Sequence, residues 1–463
     1  MIAVIRPAEL SGTIKVIASK SAAHRLLIAA ALADQPTDIL CEELSQDIEA
    51  TAGALNALGA SISYDPNSRS FHVIPIERDG TDLGNTAFCD TASCGTGSQD
   101  IASDHMGSCD DKGICTLDVG ESGSTLRFLL PVVCALGKDT RIVMHGRLPE
   151  RPLSPLWEEL ERHGSRLTRL PDGSVMTSGR LTGGEFTIAA NVSSQFISGL
   201  LFAIPLLKDP SWIRLTGAVE SKGYIRMTIR ALGQFGIRTI WEEDILRLVP
   251  GDKEGQPEEG HSEGKDGEAD PGLSYRSPGE LEVEGDWSNA AFWEAAGMLT
   301  KGEIICTGLD ENSLQGDRAI RRLKKEIAAG NCSVDARDVP DLVPVMSVLA
   351  ALSPGTTVFT HAERLRIKES DRIRATVDML KSLGAEASET KDGLIVRGKK
   401  RLPGGTVDSC NDHRIAMSAA VASIVCEGEV RILKAEAVRK SYPGFFEDFK
   451  KLGGKVTLES DPV

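Results

Sequence analysis

Apolar residues recur along this chain in six segments that contain few polar positions. Each segment has the length of a short helix and is followed by a small or acidic turn and then a short apolar strand. The six predicted helices start near Arg25, Arg127, Phe196, Ala290, Leu342 and Ile415. Because a helix that is apolar on every side belongs in a core, these six helices are predicted to be buried.

A second helical pattern follows each of these segments, with apolar residues on one side only, so this helix is expected on the outside. This helix ends at a small residue that is followed by another strand, most clearly at 58–62, 163–167, 235–239, 383–387 and 452–456. In the sixth unit the helix end, A-A-G-N-C-S-V at 328–334, matches this pattern only poorly. Six α/β units predict two pseudo-symmetric domains of three units each. The absence of a G-x-G-x-x-G motif argues against a Rossmann sheet.

Two segments fit no unit. Residues ~85–115 are rich in Ser, Gly, Asp and Cys, and residues ~251–272 hold eight acids and two lysines between 251 and 270. Both are interpreted as surface insertions. The second supplies a large part of the formal net charge of −15, so the rest of the chain is much less acidic.

Composition narrows the function classes. The 463 residues are 41% hydrophobic and 26% charged, as in ordinary globular proteins. No apolar run approaches the ~18 residues that a membrane span requires. The start of the chain resembles neither a signal nor a transit peptide, so a cytoplasmic protein that begins directly with structure is expected. The negative charge argues against nucleic-acid binding through a general basic surface, and an anionic ligand would need a local positive pocket.

The ten cysteines predict no metal centre. Several lie in apolar segments, and no C-x-x-C pair occurs. A zinc site in the polar stretch that holds Cys89, Cys94, Cys109 and Cys115 is a weak alternative.

Residues 361–372, H-A-E-R-L-R-I-K-E-S-D-R, hold the densest cluster of charges with catalytic potential. Basic and apolar residues alternate from Arg364 to Lys368, which predicts a short strand with one basic face. Helical spacing starts at Ile373, with Ser370 or Asp371 placed to cap the helix. Cations beside a helix N-terminus favour a carboxylate or phosphate ligand, whereas the simpler alternative is a solvated basic surface.

Four of the six buried helices begin with residues suited to anion binding. Their starts read S-K-S-A-A-H-R (19–25), G-E-S-G-S-T-L-R (120–127), V-S-S-Q-F (192–196) and N-D-H-R (411–414). Gly123 would let a ligand approach the backbone closely. If these N-termini meet in one cleft, an acidic protein could still bind anions.

These motifs, in this order, resemble the 5-enolpyruvylshikimate-3-phosphate (EPSP) synthase family. The resemblance also covers E-R-P (150–152), E-S-K-G-Y-I (220–225), E-G-D (284–286), N-S-L-Q-G-D (312–317), R-I-K-E-S-D-R (366–372) and K-S-Y-P (440–443). It implies an α/β fold of two domains, each of three βαβαββ units with buried central helices, an arrangement called an inverted α/β barrel. One domain would be 18–283 and the other 1–17 plus 284–463, with hinges near Ala18 and Glu284.

The resemblance implies transfer of the enolpyruvyl group of phosphoenolpyruvate to the 5-hydroxyl of shikimate 3-phosphate, by a monomer without metal or cofactor. Asp341 would accept the hydroxyl proton, and Glu369 and Lys20 would handle protons at the enolpyruvyl carbon. Phosphoenolpyruvate would be held by Lys20, Gly123, Arg151, Arg372, Arg414 and Lys440. Shikimate 3-phosphate would be held by Lys20, Ser21, Arg25, Ser193, Ser194, Gln195, Ser221, Tyr224, Asp341 and Lys368. His413 is expected only to orient its neighbours.

Glu121 departs from the family pattern, which often has Asn at this position. A carboxylate near an anionic ligand is unfavourable unless it turns away or pairs with Arg or Lys. One alternative activity is that of the sister transferase that uses UDP-N-acetylglucosamine, but its reactive Cys is missing from residues 145–152. The other alternative, a non-catalytic anion-binding relative, is disfavoured because a pure binder would gain from losing Asp341 and Glu369.

Overall fold

The structure is a computed structural model that describes residues 1–77, 113–251 and 273–460. The two predicted insertions lie outside these ranges except at their edges, and so do Cys89, Cys94 and Cys109. The described α-helices are α1 Lys20–Ala31, α2 Gln46–Ala57, α3 Gly123–Leu136, α4 Leu156–Arg162, α5 Ser194–Ala203, α6 Lys222–Gln234, α7 Trp287–Leu299, α8 Ile320–Ala329, α9 Val343–Leu352, α10 Arg372–Ser382, α11 His413–Ser423 and α12 Phe445–Lys451.

Short strands separate the helices. In the first half of the chain they are β1 Ile2–Arg6, β2 Gly12–Lys15, β3 Thr37–Leu40, β4 Ser61–Asp65, β5 Ser70–Ile74, β6 Cys115–Asp118, β7 Thr140–Val143, β8 Arg166–Arg169, β9 Val175–Ser178, β10 Gly184–Ala189 and β11 Ser211–Thr216. In the second half they are β12 Ile237–Glu242, β13 Ile245–Pro250, β14 Glu280–Glu282, β15 Ile304–Thr307, β16 Cys332–Asp335, β17 Thr356–Thr360, β18 Glu386–Glu389, β19 Leu394–Arg397, β20 Gly405–Asp408, β21 Val430–Leu433 and β22 Lys455–Glu459.

The six predicted apolar helices are α1, α3, α5, α7, α9 and α11, and all are buried as expected. In α3 every residue from Thr125 to Ala135 is buried, and α11 is buried along its whole length. The helices that follow them bury one side only. In α8, for example, the buried residues are Ile320, Leu323 and Ile327, at the spacing of one helical face.

Three sheets show the complete βαβαββ unit within one stretch of chain. The strands before and after the buried helix pair in parallel, and a hairpin adds two antiparallel strands, as in the order β6-β7-β9-β8. The other two such sheets have the orders β10-β11-β13-β12 and β16-β17-β19-β18. The predicted repeat is therefore present as a structural unit.

Strands from distant parts of the chain complete the remaining units. Strand β14 pairs in parallel with β3, giving the order β14-β3-β5-β4, and β1 lies between β21 and β22. Within the described chain, strand β2 pairs only with β15, because α8 leads directly into β16, which opens the next sheet. This unit lacks the hairpin that follows the second helix in the other units, which explains why the helix end at 328–334 matches the repeat pattern poorly.

The buried apolar residues form two separate clusters. Core A lies within residues 18–283, and core B lies within residues 3–17 and 287–456. The chain passes between them twice at adjacent points, where Ser19 N donates to Glu284 O at 2.7 Å and Asp286 N donates to Ile17 O at 2.9 Å. The two crossings thus support each other through backbone hydrogen bonds.

The predicted strand at 364–368 is wrong. Residues Glu363–Ile367 form a 3₁₀ helix, in which Leu365 is fully buried while Ile367 is 41% exposed. The basic residues do not share a face, since Arg364 pairs with Glu220 whereas Arg366 pairs with Glu389. The helix that follows was predicted correctly, and Asp371 is its cap, accepting from Arg374 N at 3.1 Å.

Candidate active site

A cleft lies between cores A and B and is lined by residues of both. Residues from the first turns of α1, α3, α5 and α11 line it, and each of these helices has a side chain that caps its N-terminus. The caps are Ser19, Ser122, Ser193 and Asp412. Because helix N-termini carry partial positive charge and free N–H groups, their convergence favours anions in the cleft.

Cations outnumber carboxylates among the described residues that line the cleft. Eight are Lys or Arg and three are Asp or Glu. Core A supplies Lys20, Arg25, Arg127, Arg151 and Asp47, and core B supplies Arg364, Lys368, Arg372, Arg414, Asp341 and Glu369. An acidic chain thus contains a strongly positive pocket, as the sequence interpretation required.

Lys20 is the first residue of α1, and its ammonium pairs with Asp47 of α2 at 2.7 Å (Nζ to Oδ2). Arg25, one turn further on, is buried and donates to the carbonyls of Ser21 at 2.5 Å and Tyr224 at 2.9 Å and to Thr228 Oγ1 at 2.8 Å. Burial lowers the pKa of Arg25 to about 10, so the guanidinium remains charged at neutral pH. Arg25 is therefore a fixed cation in the floor of the cleft.

Gly123 opens α3 between two guanidinium groups. A Cβ atom at this position would lie 2.7 Å from an Nη1 atom of both Arg127 and Arg151, which is closer than non-bonded atoms approach. Arg127 donates to Gln195 Oε1 at 3.1 Å, and Gln195 Nε2 donates to Ser124 Oγ at 2.9 Å. The glycine thus leaves room for both guanidinium groups at the start of α3.

Ser193 and Ser194 also line the cleft, at the start of α5. Ser193 caps the helix by accepting from Gln195 N at 3.3 Å. Ser194 follows it as the first residue of the helix. Both hydroxyls therefore lie where a phosphate or hydroxyl group of a ligand would meet a helix N-terminus.

Side chains from the two cores contact each other across the cleft. Tyr224 Oη donates to Asp341 Oδ2 at 3.0 Å, and Arg364 Nε pairs with Glu220 Oε2 at 2.6 Å. Ser221, held in a left-handed conformation at φ 53°, accepts from an Nη atom of Arg364 at 3.2 Å. These contacts bring the walls together, so the structure shows the cleft in a closed arrangement.

Arg372 organises the carboxylates of core B. It is 1% exposed and donates to Asp341 Oδ1 at 2.7 Å, to Asp412 Oδ2 at 2.9 Å and to Glu369. Arg414 Nε lies 3.6 Å from the same Asp341 oxygen, and Lys368 Nζ lies 4.0 Å from it. Asp341 is therefore surrounded by three cations.

These cations control the protonation of both carboxylates. Burial alone would raise the pKa of Asp341, but Arg414, Lys368 and Arg372 outweigh it and hold that pKa well below the usual range. Burial is likewise outweighed at Glu369, whose pKa is lowered by Arg372, Arg151 and Lys368. Burial also lowers the pKa of Lys368 to about 8, against the opposing effect of the two carboxylates. Both carboxylates are thus ionised at neutral pH.

His413 is the first residue of α11 and is buried beside these groups. Neither of its ring nitrogens has a hydrogen-bond partner among the described residues. Burial lowers its pKa, as do Lys20 and Arg414, so the ring is neutral.

The cleft contains every residue of the predicted site except Lys440. Its ammonium instead contacts Glu121 Oε2 and Asn411 O, each at 2.8 Å. The sequence interpretation had given Arg127 and Arg364 no role as ligands, and it overlooked Asp47. An acidic residue in the first turn of a helix is common, so the pattern around Asp47 carried no signal that it contacts Lys20.

Within the described ranges, no group of three or more His, Cys, Asp or Glu side chains is arranged to bind a metal ion. Nor does any helix of the described chain combine the length and apolarity needed to cross a bilayer.

The fold and cleft define an α/β class in which six repeated units form two cores around an anion-binding space. Two solved structures of EPSP synthase from Acinetobacter baumannii share this fold, with a TM-score of 0.71 at 22% and 21% identity, covering 99% of this chain and all of theirs. The predicted fold class is therefore confirmed.

Sequence relatives identify the family within that class. The family model of EPSP synthase (3-phosphoshikimate 1-carboxyvinyltransferase) matches residues 4–82 and 90–449. The chain is 38% identical to the 3-phosphoshikimate 1-carboxyvinyltransferase of Clostridium perfringens, covering 97% of this chain and 98% of that one. It is 36% identical to that of Clostridium kluyveri, covering 98% and 97%. The chain belongs to the EPSP synthase family, a family of transferases.

Proposed function

We propose that this protein transfers the enolpyruvyl group of phosphoenolpyruvate to the 5-hydroxyl of shikimate 3-phosphate and releases phosphate. The observation that carries the proposal is the position of Asp341 and Glu369 in a cleft lined by cations from both cores. Two anionic substrates explain the cations, and two ionised carboxylates beside them explain the proton transfers. A protein that only bound anions would have no use for those carboxylates.

We propose that the residues of the site divide into two groups, one for each substrate. Arg151 and Arg372 both pair with Glu369, and they are proposed to hold phosphoenolpyruvate together with Lys20, Gly123, Arg414 and Lys440. Ser21, Arg25, Ser193, Ser194, Gln195, Ser221, Tyr224 and Lys368 are proposed to hold shikimate 3-phosphate. Arg127 adds a charge that no described carboxylate pairs with at hydrogen-bond distance. Its Nη1 atom lies as close to the Cβ position of Gly123 as that of Arg151, so we assign it to the phosphoenolpyruvate side as well.

Addition begins when the 5-hydroxyl oxygen attacks the central carbon of phosphoenolpyruvate. Asp341, which is ionised, accepts the hydroxyl proton, and the Lys20 ammonium gives a proton to the methylene carbon, which becomes a methyl group. In the elimination that follows, the bond to phosphate breaks while Glu369 removes a proton from that methyl group. The anionic groups that develop are stabilised by guanidinium groups already in position.

The domain boundaries and the state of the protein in solution are further parts of this proposal. We propose that cores A and B belong to two domains, 18–283 and 1–17 plus 284–463, and the separate apolar clusters support this division. The monomeric state, the cytoplasmic location and the lack of a metal or cofactor also remain proposals. Full activity after exhaustive treatment with a chelator would support the last of them.

A phosphate-release assay tests the function directly. The purified protein should release phosphate when phosphoenolpyruvate and shikimate 3-phosphate are both present and not with either alone. Release with UDP-N-acetylglucosamine in place of shikimate 3-phosphate would instead assign the sister activity. A protein that binds phosphoenolpyruvate but releases no phosphate with either acceptor would be a non-catalytic relative.

A further inference from the structure

Glu121 forms a polar contact between the two cores that involves no residue of the cleft lining. It lies in the turn before α3, and its Oε2 atom is 2.8 Å from Nζ of Lys440, at the end of the 3₁₀ helix Ala435–Lys440. Asn411 contributes twice, donating its amide to Glu121 Oε1 at 3.2 Å and accepting from Lys440 through its carbonyl at 2.8 Å. Lys440 is 10% exposed, so this carboxylate replaces much of the water that would otherwise solvate it.

The contact lies at the edge of the cleft. Glu121 precedes Gly123 by two residues, and Asn411 precedes His413 by two residues, and both Gly123 and His413 line the cleft. Lys440 is thus close to the positive pocket, yet its charge is compensated from outside the pocket. The carboxylates Asp341 and Glu369 inside the cleft, by contrast, each face more than one cation.

We propose that Glu121 determines the affinity for phosphoenolpyruvate by binding Lys440 at the edge of the cleft and compensating its charge. This inference rests on the proposed function. A carboxylate 2.8 Å from an ammonium group reduces the attraction of that group for a second anion, and neither Glu121 nor Lys440 lines the cleft. Binding of phosphoenolpyruvate therefore requires Lys440 to be shared with Glu121 or released from it.

The test is Glu121→Gln, which keeps the shape and an acceptor oxygen but removes the charge. The KM for phosphoenolpyruvate should fall about threefold to tenfold, as expected for one partly exposed ion pair. The kcat and the KM for shikimate 3-phosphate should stay within about twofold of the native values. An unchanged or higher KM for phosphoenolpyruvate would overturn the proposal.

Two further variants separate charge compensation at Lys440 from a general effect on cleft closure. In a Lys440→Met background, Glu121→Gln should no longer change the KM for phosphoenolpyruvate, because the ion pair through which Glu121 acts is already gone.

Glu43→Gln is the matched control. Glu43 also reaches from core A to the chain just after Lys440, where it accepts from Gly444 N at 3.1 Å, and it does not line the cleft. If both single variants changed the KM of both substrates equally, cleft closure would be the cause and the proposal would be wrong.

Failure of the proposed function would give a different result. In that case the native protein would release no phosphate at all. Equilibrium dialysis with phosphoenolpyruvate alone measures its Kd without turnover and so tests the inference independently of activity. Glu121→Gln should bind phosphoenolpyruvate more tightly than the native protein. Equal or weaker binding by the variant would reject the role of Glu121, whatever the activity.

Discussion

Tyr224 of core A donates its hydroxyl to Asp341 of core B, with 3.0 Å between the oxygens. A phenol has one hydrogen to donate, and Asp317 Oδ2 also lies 3.1 Å from the same oxygen. Burial and the charge of Asp341 raise the pKa of Asp317 to about 6, so the two carboxylates differ in how readily they ionise. The bond to Asp341 joins the two walls of the cleft at the residue proposed as base.

This bond can form only when the cleft is closed, which leads to a prediction about motion. Without ligands, repulsion among the facing cations should open the cleft, and both substrates together should close it about the crossings near Ala18 and Glu284. Solution scattering should show a smaller radius of gyration when both substrates are present. Identical scattering curves with and without them would contradict the hinge.

Lys20→Ala should abolish most turnover while the fold is retained. The residue starts α1 and contacts Asp47 but supports no apolar core, so thermal unfolding should change little. Loss of a proton donor and a substrate cation together should lower kcat by about 10²-fold to 10⁴-fold. Lys301→Ala, at a lysine that is 88% exposed, is the control and should retain the native rate. A near-normal rate for Lys20→Ala would reject its catalytic role.

Gly123→Ala should weaken phosphoenolpyruvate binding. The added methyl group would lie 2.7 Å from guanidinium nitrogens of Arg127 and Arg151, so both side chains must move. We expect the KM for phosphoenolpyruvate to rise about tenfold or more, with a smaller effect on shikimate 3-phosphate. Gly233→Ala is the matched control, because the new Cβ would meet no atom within 4 Å beyond its chain neighbours and the backbone of its own helix α6. Equal kinetics for the two variants would show that the crowding at Gly123 is relieved without cost.

The pKa of Lys368 predicts how activity depends on pH. Because burial lowers this pKa to about 8, the empty cleft loses a cation as the pH rises above that value. The kcat/KM for shikimate 3-phosphate should then fall with rising pH, by up to about tenfold per pH unit. In Lys368→Arg the cation persists, so the fall above pH 8 should disappear even if the overall rate is lower. A native profile that stays flat through about pH 9.5 would contradict the assignment.

Local sequence patterns were sufficient to predict the elements that are stabilised by residues close together in the chain. The buried helices α3 and α11 followed from continuous apolar composition. A cap at Ser370 or Asp371 followed from side chains that can accept a helix N–H within three residues, and the structure shows that Asp371 is the one. The strand predicted at 364–368 failed because alternation requires a partner strand. Leu365 instead packs into core B while Arg364 and Arg366 reach different acids.

The sequence by itself determined six α/β units, their buried helices and the chemistry at four helix N-termini, because hydrophobic period and capping act over a few residues. Only the tertiary structure decided that β1 lies between β21 and β22 and that β2 pairs with β15. It also decided that Asp47 pairs with Lys20 and that Glu121 pairs with Lys440. These contacts join residues far apart in the chain, and their energies depend on distance and burial, which no local pattern encodes.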